Sequence, residues 1–522
     1  MNALAPGLLR WRWPAAGVAL VAVFAVLAGR FWHPHYGFTR FLQVDEADHR
    51  AGVAALRAHP VFTYPGFNGY DGAAYAQLAF HPRLDDPVLR TAIDSLPYRA
   101  RRILGSALAW VLAGGDPARI ARTYAALNLA VWLAFAGLLW RVLRVADARS
   151  WVAWAGVVFS AGALHSVRLA LTDLLAATLA TAALFAAERG RPRGALALLA
   201  LAGLARETAL AAVAGLWRGP WGSPRAWAGN ALRAAAVAAP LAAWMIYVRT
   251  RTGPSDAGFG NFSWPVAGWI EKWGEIAGDY VRHPQFAWLI TTTLLATIAL
   301  SAQAAFLLRR VRLADPWWRL GATGVAMLAL LGTAVWEGHP GAATRVLLPM
   351  AVAVAVLQVR TRAAWGWVAA AGLSAASGVL ALWHVPHEER ELAAGTFAGG
   401  SYVARIETGW FGVERARGQA WAWAENRGEI DVEVAPSRAI PGRVRLRLAA
   451  LSARPVEVRQ GDAVVWRGEV GPRAAWIEMP VGPPTAGRLR LTVSSPAPGQ
   501  PEGGQAGARS LGFVVRGVGV GP

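Results

Sequence analysis

PAAGVALVAVFAVLAG, residues 14–29, runs from Pro14 to Gly29 without a charge. A bilayer core about 30 Å thick needs roughly 20 apolar residues per helix, and soluble helices seldom run so far without a polar face. Similar blocks recur at 125–140, 169–187, 285–308, 321–336, 346–359 and 363–383. The chain is 55% hydrophobic and 16% charged, with a mean hydropathy of +0.33. Globular soluble proteins carry about 25% charged residues. The pattern therefore predicts a polytopic α-helical membrane protein.

The net charge of +20 is carried almost wholly by arginine, Lys272 being the one lysine. Such an excess raises nucleic-acid binding as a possibility, but the arginines sit in short connectors between apolar blocks. Arg10 and Arg12, then Arg141, Arg144 and Arg149, then Arg189, Arg191 and Arg193 show the habit, as do Arg309, Arg310 and Arg312. Short Arg-rich loops mark the cytoplasmic side, so the charge reads as topology and no nucleic-acid partner is expected. The absence of cysteine excludes disulfides and thiol catalysis.

On this reading the N-terminus is cytoplasmic. The first helix leads outward to a long loop at 33–117, in which 103–113 forms an interfacial helix. Further spans are predicted near 118–142, 150–165, 168–187, 229–249, 286–308, 319–336, 345–359 and 363–384. A broken hairpin at 194–217 keeps the arginines on one side and brings the total to about eleven. A second outer loop covers 250–285. Beyond the membrane domain, 1–385, the chain turns to short alternating runs broken by Gly, Pro and Asp. Residues 386–522 are expected to form an extracytoplasmic all-β sandwich, with Gly461-Asp462 as a hairpin turn. Trp410, Trp421 and Trp423 there are either core or a platform for sugars, and 496–509 reads as a flexible loop.

The first outer loop holds the densest polar constellation, FNGYDGAAY at 67–75 and DSLPYRARRIL at 94–104. Asp71 lies on a tight turn, where it serves its own backbone or, with its pKa raised by desolvation, acts as a general base. Arg99 and Arg102 share a helical face and either clamp a phosphate or snorkel toward headgroups. Asp173, the Arg206-Glu207-Thr208 turn and Arg345 fall on the same side. They either line one cavity or pair locally, Arg206 with Glu207 and Arg345 with Glu337. The acidic pairs Asp45-Glu46 and Asp85-Asp86 leave a divalent metal possible without a recognisable ligand motif. His33, His35, His49, His59 and His81 read as surface residues.

Together these motifs resemble those of GT-C membrane glycosyltransferases, and more narrowly bacterial relatives of the GPI-type mannosyltransferases. The resemblance rests on Gly69-Tyr70-Asp71-Gly72 with Tyr75, on Asp94, Pro97, Tyr98, Arg99 and Arg102-Ile103-Leu104, and on Thr172-Asp173 and Arg206-Glu207-Thr208. The pattern departs at Ala73-Ala74, where a polar and an aromatic residue would stand. The resemblance implies inverting transfer of a sugar from a polyprenyl-phosphate donor to a glycan, lipid or protein acceptor. It makes Asp71 the base and has Arg99, Arg102, Arg206 and Arg345 hold the departing phosphate. Tyr70, Tyr75, Asp94, Tyr98, Asp173 and Glu207 would complete the substrate site. Two other classes stay open: a transporter or flippase, and a non-catalytic envelope assembly protein whose sandwich binds glycan.

Overall fold

The computed structural model describes residues 6–66, 69–254, 259–398, 400–435, 442–505 and 508–521. Phe67 and Asn68 of the FNGYDGAAY stretch, and 255–258 of the second loop, lie outside them. The chain forms two compact units. The first comprises Met1–Phe31, Phe38–Arg57 and Thr63–Val385; the second comprises Trp32–Gly37, Ala58–Phe62 and Pro386–Pro522.

In the first unit five helices are long and apolar enough to cross a membrane: Arg12–Gly29, Pro117–Leu143, Ala148–Arg168, Pro224–Thr252 and Pro284–Arg309. Leu232 and Ile246 on the Pro224–Thr252 helix are 72% and 67% exposed, an arrangement that suits a lipid-facing surface and not a watery one. Shorter apolar helices cover Pro192–Ala205, Glu207–Leu216, Leu348–Arg360 and Trp365–Ala381. The count of about eleven full spans is thus not what the described residues display.

Several predicted spans are interrupted because their backbone bonds elsewhere. The Pro316–Leu330 helix stops where the Gly332 N–H donates to the Asn261 carbonyl at 2.8 Å and the Ser263 N–H donates to the Leu330 carbonyl at 3.0 Å. Near 373–374 the chain kinks, and the Ser374 carbonyl accepts from the Ala161 N–H at 3.1 Å. At 192–216 the predicted hairpin is present. Pro192–Ala205 ends at Arg206 in extended conformation (φ −158°, ψ 126°), and the 3₁₀ segment Glu207–Leu216 runs back. Its far end is tied by Arg319, which donates to the Ala214, Gly215 and Trp217 carbonyls at 2.8, 3.2 and 3.2 Å. The segment expected to lie in the interface is a short helix, Leu104–Leu112.

The second unit is a β-sandwich. Its six-stranded sheet runs in the order Ala463–Val470, Arg454–Gln460, Arg488–Ser494, Arg427–Val434, Gly400–Ile406, Glu391–Phe397. Its five-stranded sheet runs Ala475–Pro480, Arg443–Ala450, Phe513–Gly521, Gln419–Ala424, Trp410–Ala416. Alternation places Ile430, Val432, Leu489, Leu491 and Val493 of one sheet against Leu446, Leu448, Ala422 and Val515 of the other in a single core. Gly461-Asp462 turns the hairpin as expected. Within 496–509 there is more order than a flexible loop, since Gln500–Pro501 pairs with Ser510–Leu511.

His33 and His35 are not surface residues. They are 4% and 0% exposed and stand 3.2 Å from Glu391 and 3.6 Å from Glu433. Beside them Arg405 pairs with Glu388 at 2.5 Å, with Glu433 at 2.6 Å and with the Tyr36 hydroxyl. Trp410 packs edge-on to Phe513 and donates to the Glu429 carbonyl at 2.8 Å, so it belongs to the structural side of its two readings. Trp421 and Trp423 are half-buried, whereas Trp476, which the sequence reading passed over, is 53% exposed.

Candidate active site

Asp71 opens the Asp71–Phe80 helix, and extended Tyr70 precedes it. A helix N-terminus carries positive partial charge, so a carboxylate is at home there. Gly72 is needed at the next position: a Cβ would collide with the Leu169 carbonyl and lie 2.9 Å from the Leu42 oxygen. That close approach clamps the start of the helix against two other segments.

Asp71 is ion-paired with Arg99, which also forks onto Asp94 with bonds of 2.8 and 2.9 Å. Arg102 donates to both oxygens of Glu207 at 3.0 and 2.8 Å, to the Tyr75 hydroxyl at 3.0 Å and to the Tyr98 hydroxyl at 2.8 Å. Arg206 pairs with Asp173 at 2.5 Å. Arg345 donates to the Tyr70 hydroxyl at 2.8 Å and lies over that ring, 5.3 Å from its centre. These bonds make four groups, brought together where Tyr70 adjoins Asp71 and Arg206 adjoins Glu207 in the chain.

These pairings differ from the local ones considered. Glu207 binds Arg102, 105 residues away, and not its neighbour Arg206; Arg345 takes Tyr70 and not Glu337. The expectation for the Asp71 pKa is also reversed. Burial pushes it up, but the charge of Arg99 and its hydrogen bond outweigh burial and hold the carboxyl below the usual carboxylate range. At Arg102 Nε, Nη1 and Nη2 are each engaged by protein.

Two hollows flank the constellation. One, of about 390 Å³, is lined by Asp45, Asp48, Tyr70, Asp71, Asp94 and Arg99. The other is much tighter, about 30 Å³, and is lined by Asp173, Arg206, Thr208, Thr323 and Arg345 among apolar side chains. The Arg345–Tyr70 bond joins their walls. Arg345 is 8% exposed, and Nε of both Arg345 and Arg206 is buried with no hydrogen-bond partner among the described residues. A buried donor left unpaired is costly, so these two groups mark unspent capacity for an anion.

Sequence reasoning missed Asp48 and Asn261. Asp48 follows the N-cap Asp45 by three residues, a spacing that places it in the first turn of Glu46–Ala51 but says nothing of the hollow it faces. Asn261 donates to the Tyr98 hydroxyl at 3.1 Å across 163 positions of chain, which no local signal foretells. Among the described residues no three His, Asp or Glu side chains gather in a metal-binding group. Asp85 and Asp86 instead stand 3.4 and 3.3 Å from the ring nitrogens of His81.

Neither a family model nor a curated protein matches the chain. Among solved structures it is similar to the cryo-EM structure of the arabinosyltransferase EmbB from Mycobacterium smegmatis. The TM-score is 0.33 and the identity 14%, with all of this chain and 65% of that one covered. The chain thus spans about two thirds of the length of EmbB.

Proposed function

We propose that this protein is a membrane glycosyltransferase. It moves a sugar, with inversion, from a polyprenyl-phosphate donor to a glycan, lipid or protein acceptor on the outer face of a bacterial cytoplasmic membrane. The observation that carries the reading is the pair of hollows joined at Tyr70–Arg345, one rich in carboxylates and the other holding two arginines with unpaired Nε groups.

The donor phosphate is assigned to the Arg206 and Arg345 side of the constellation, where each guanidinium would give it a charge-assisted hydrogen bond. The acceptor fits the first hollow. The acceptor hydroxyl gives its proton to a carboxylate of that hollow as its oxygen bonds to the anomeric carbon and the bond from that carbon to phosphate oxygen breaks. The electron pair leaves on the phosphate, whose growing charge the guanidinium groups stabilise. Asp71 belongs at the meeting point, with Arg99 held between it and Asp94. In this reading Arg102 keeps Glu207, Tyr75 and Tyr98 in place and does not touch the phosphate.

The test is transfer of label from a panel of radiolabelled polyprenyl-phosphate sugars in membranes that carry the wild type or Asp71→Asn. Donor-dependent labelling that falls at least 100-fold in the variant, with folded protein present, is the expected result. No labelling from any donor by folded wild type would overturn the reading and leave the transporter and assembly classes.

A further inference from the structure

Four carboxylates line the 390 Å³ hollow, and three of them are already committed. Asp71 and Asp94 are bound by Arg99. Asp45 spends one oxygen on the Gly69 N–H at 2.8 Å and the other on the Asp48 N–H, as the cap of its helix. Asp48 alone has a carboxylate with no hydrogen bond or ion pair among the described residues, and it is half-buried.

Its position is fixed by backbone. A Cβ at position 69 would collide with Oδ2 of Asp48 and stand 3.2 Å from the Gln43 carbonyl oxygen, so the carboxylate rests against Gly69, two residues before Asp71. From the proposed transferase reading, on which this depends, we infer that Asp48 is the general base, and that Asp71 is a positioning residue which holds Arg99. The acceptor hydroxyl gives its proton to the Asp48 carboxylate while its oxygen bonds to the anomeric carbon, and the phosphate departs with the electron pair of the broken bond.

The surroundings suit that part. Burial, with Asp45 and Asp94 nearby, pushes the Asp48 carboxyl above its usual value against the pull of Arg99. Its own helix carries Glu46, His49 and Arg50, and the segments packed on that helix bring Arg57, Tyr64 and Arg90. The ion pair with Arg99 favours the charged form of Asp71 and so makes it the weaker base of the two, whereas no guanidinium is bonded to Asp48 among the described residues.

The experiment uses full-length protein in membranes, with the same panel of labelled polyprenyl-phosphate sugars, and measures kcat and donor KM between pH 4 and 8. Asp48→Asn is expected to lose about 100-fold or more in kcat, the usual scale of a general base, with donor KM within about twofold. The fall of activity toward acid pH seen in the wild type should vanish in Asp48→Asn and return in Asp48→Glu. Gly69→Ala, which displaces an intact carboxylate, should lower kcat about tenfold and keep the acid limb. Wild-type transfer with Asp48→Asn at more than half the wild-type kcat overturns this assignment alone. So does a wild-type profile without an acid limb, a result that stands even if Asp48→Asn does not fold. Absence of transfer by wild type removes the transferase reading itself, and this inference with it.

Discussion

Two of the clusters of arginine and carboxylate among the described residues are built to opposite ends. In the sandwich unit, Arg405 is bound by Glu388, Glu433 and Tyr36, and no nitrogen is left over. In the helical unit, Arg102 is saturated in the same way, but Arg206 and Arg345 each keep a buried Nε unpaired beside a hollow. The residue types and the burial are alike, so neither marks a site. What separates the clusters is bonding capacity left unused. An unmet donor is not by itself a site, since Arg454 of the sandwich is buried with Nε and Nη1 unpaired; at Arg206 and Arg345 it coincides with a hollow lined by the same side chains.

The comparison breaks most easily at Arg405. Its removal strands Glu388 and Glu433, and Arg405→Ala should destabilise the sandwich by about 3–5 kcal/mol. Hydrogen exchange of its strands, followed by mass spectrometry, would register the loss; unchanged protection would mean that the saturated cluster is not structural. At the other pole, Arg345→Gln should leave unfolding of the helical unit within about 1 kcal/mol of wild type, yet cost transfer about 100-fold, near 3 kcal/mol in the barrier. Equal losses of folding and of transfer would erase the distinction.

Acid offers a finer probe. Burial pushes Glu433 up, but the nearby His35 ring and the charge and hydrogen bond of Arg405 bring its pKa down to about 2. A carboxylate whose folded pKa is depressed gives stability that is present above its unfolded pKa, near 4.5, and is lost as pH falls toward 2. Unfolding of the sandwich as a function of pH should show a decline of about 2 kcal/mol across that window, absent in Glu433→Gln. The smallest effect is expected at Trp476, which is half exposed: Trp476→Ala should shift sandwich stability by about 0.5 kcal/mol or less.

Much of the fold was legible. The block at 14–29 and the alternating runs after 385 announce helices in lipid and a sandwich, because hydrophobic period is a local property of sequence. The span count was less legible. Breaks at Leu331-Gly332 and Leu373-Ser374 depend on partners at Asn261, Ser263 and Ala161, which supply bonds that the helix would otherwise need. The candidate site divides in the same way. Its members could be named because charged side chains in an apolar chain are few and costly. Their pairings could not, since Arg102 with Glu207 and Arg345 with Tyr70 join positions 105 and 275 residues apart.

By itself, then, the sequence determined that this chain is helical and apolar over its first 385 residues, β-rich beyond them, and which ionisable residues stand out against that background. Only the tertiary structure decided which carboxylate Arg99 neutralises, that Asp48 is left unpaired in the same hollow, and that His33 and His35 are buried. The reason is physical. Periodicity and composition act through neighbours in the chain, whereas charge state and unused bonding capacity are set by what folding brings within a few ångströms.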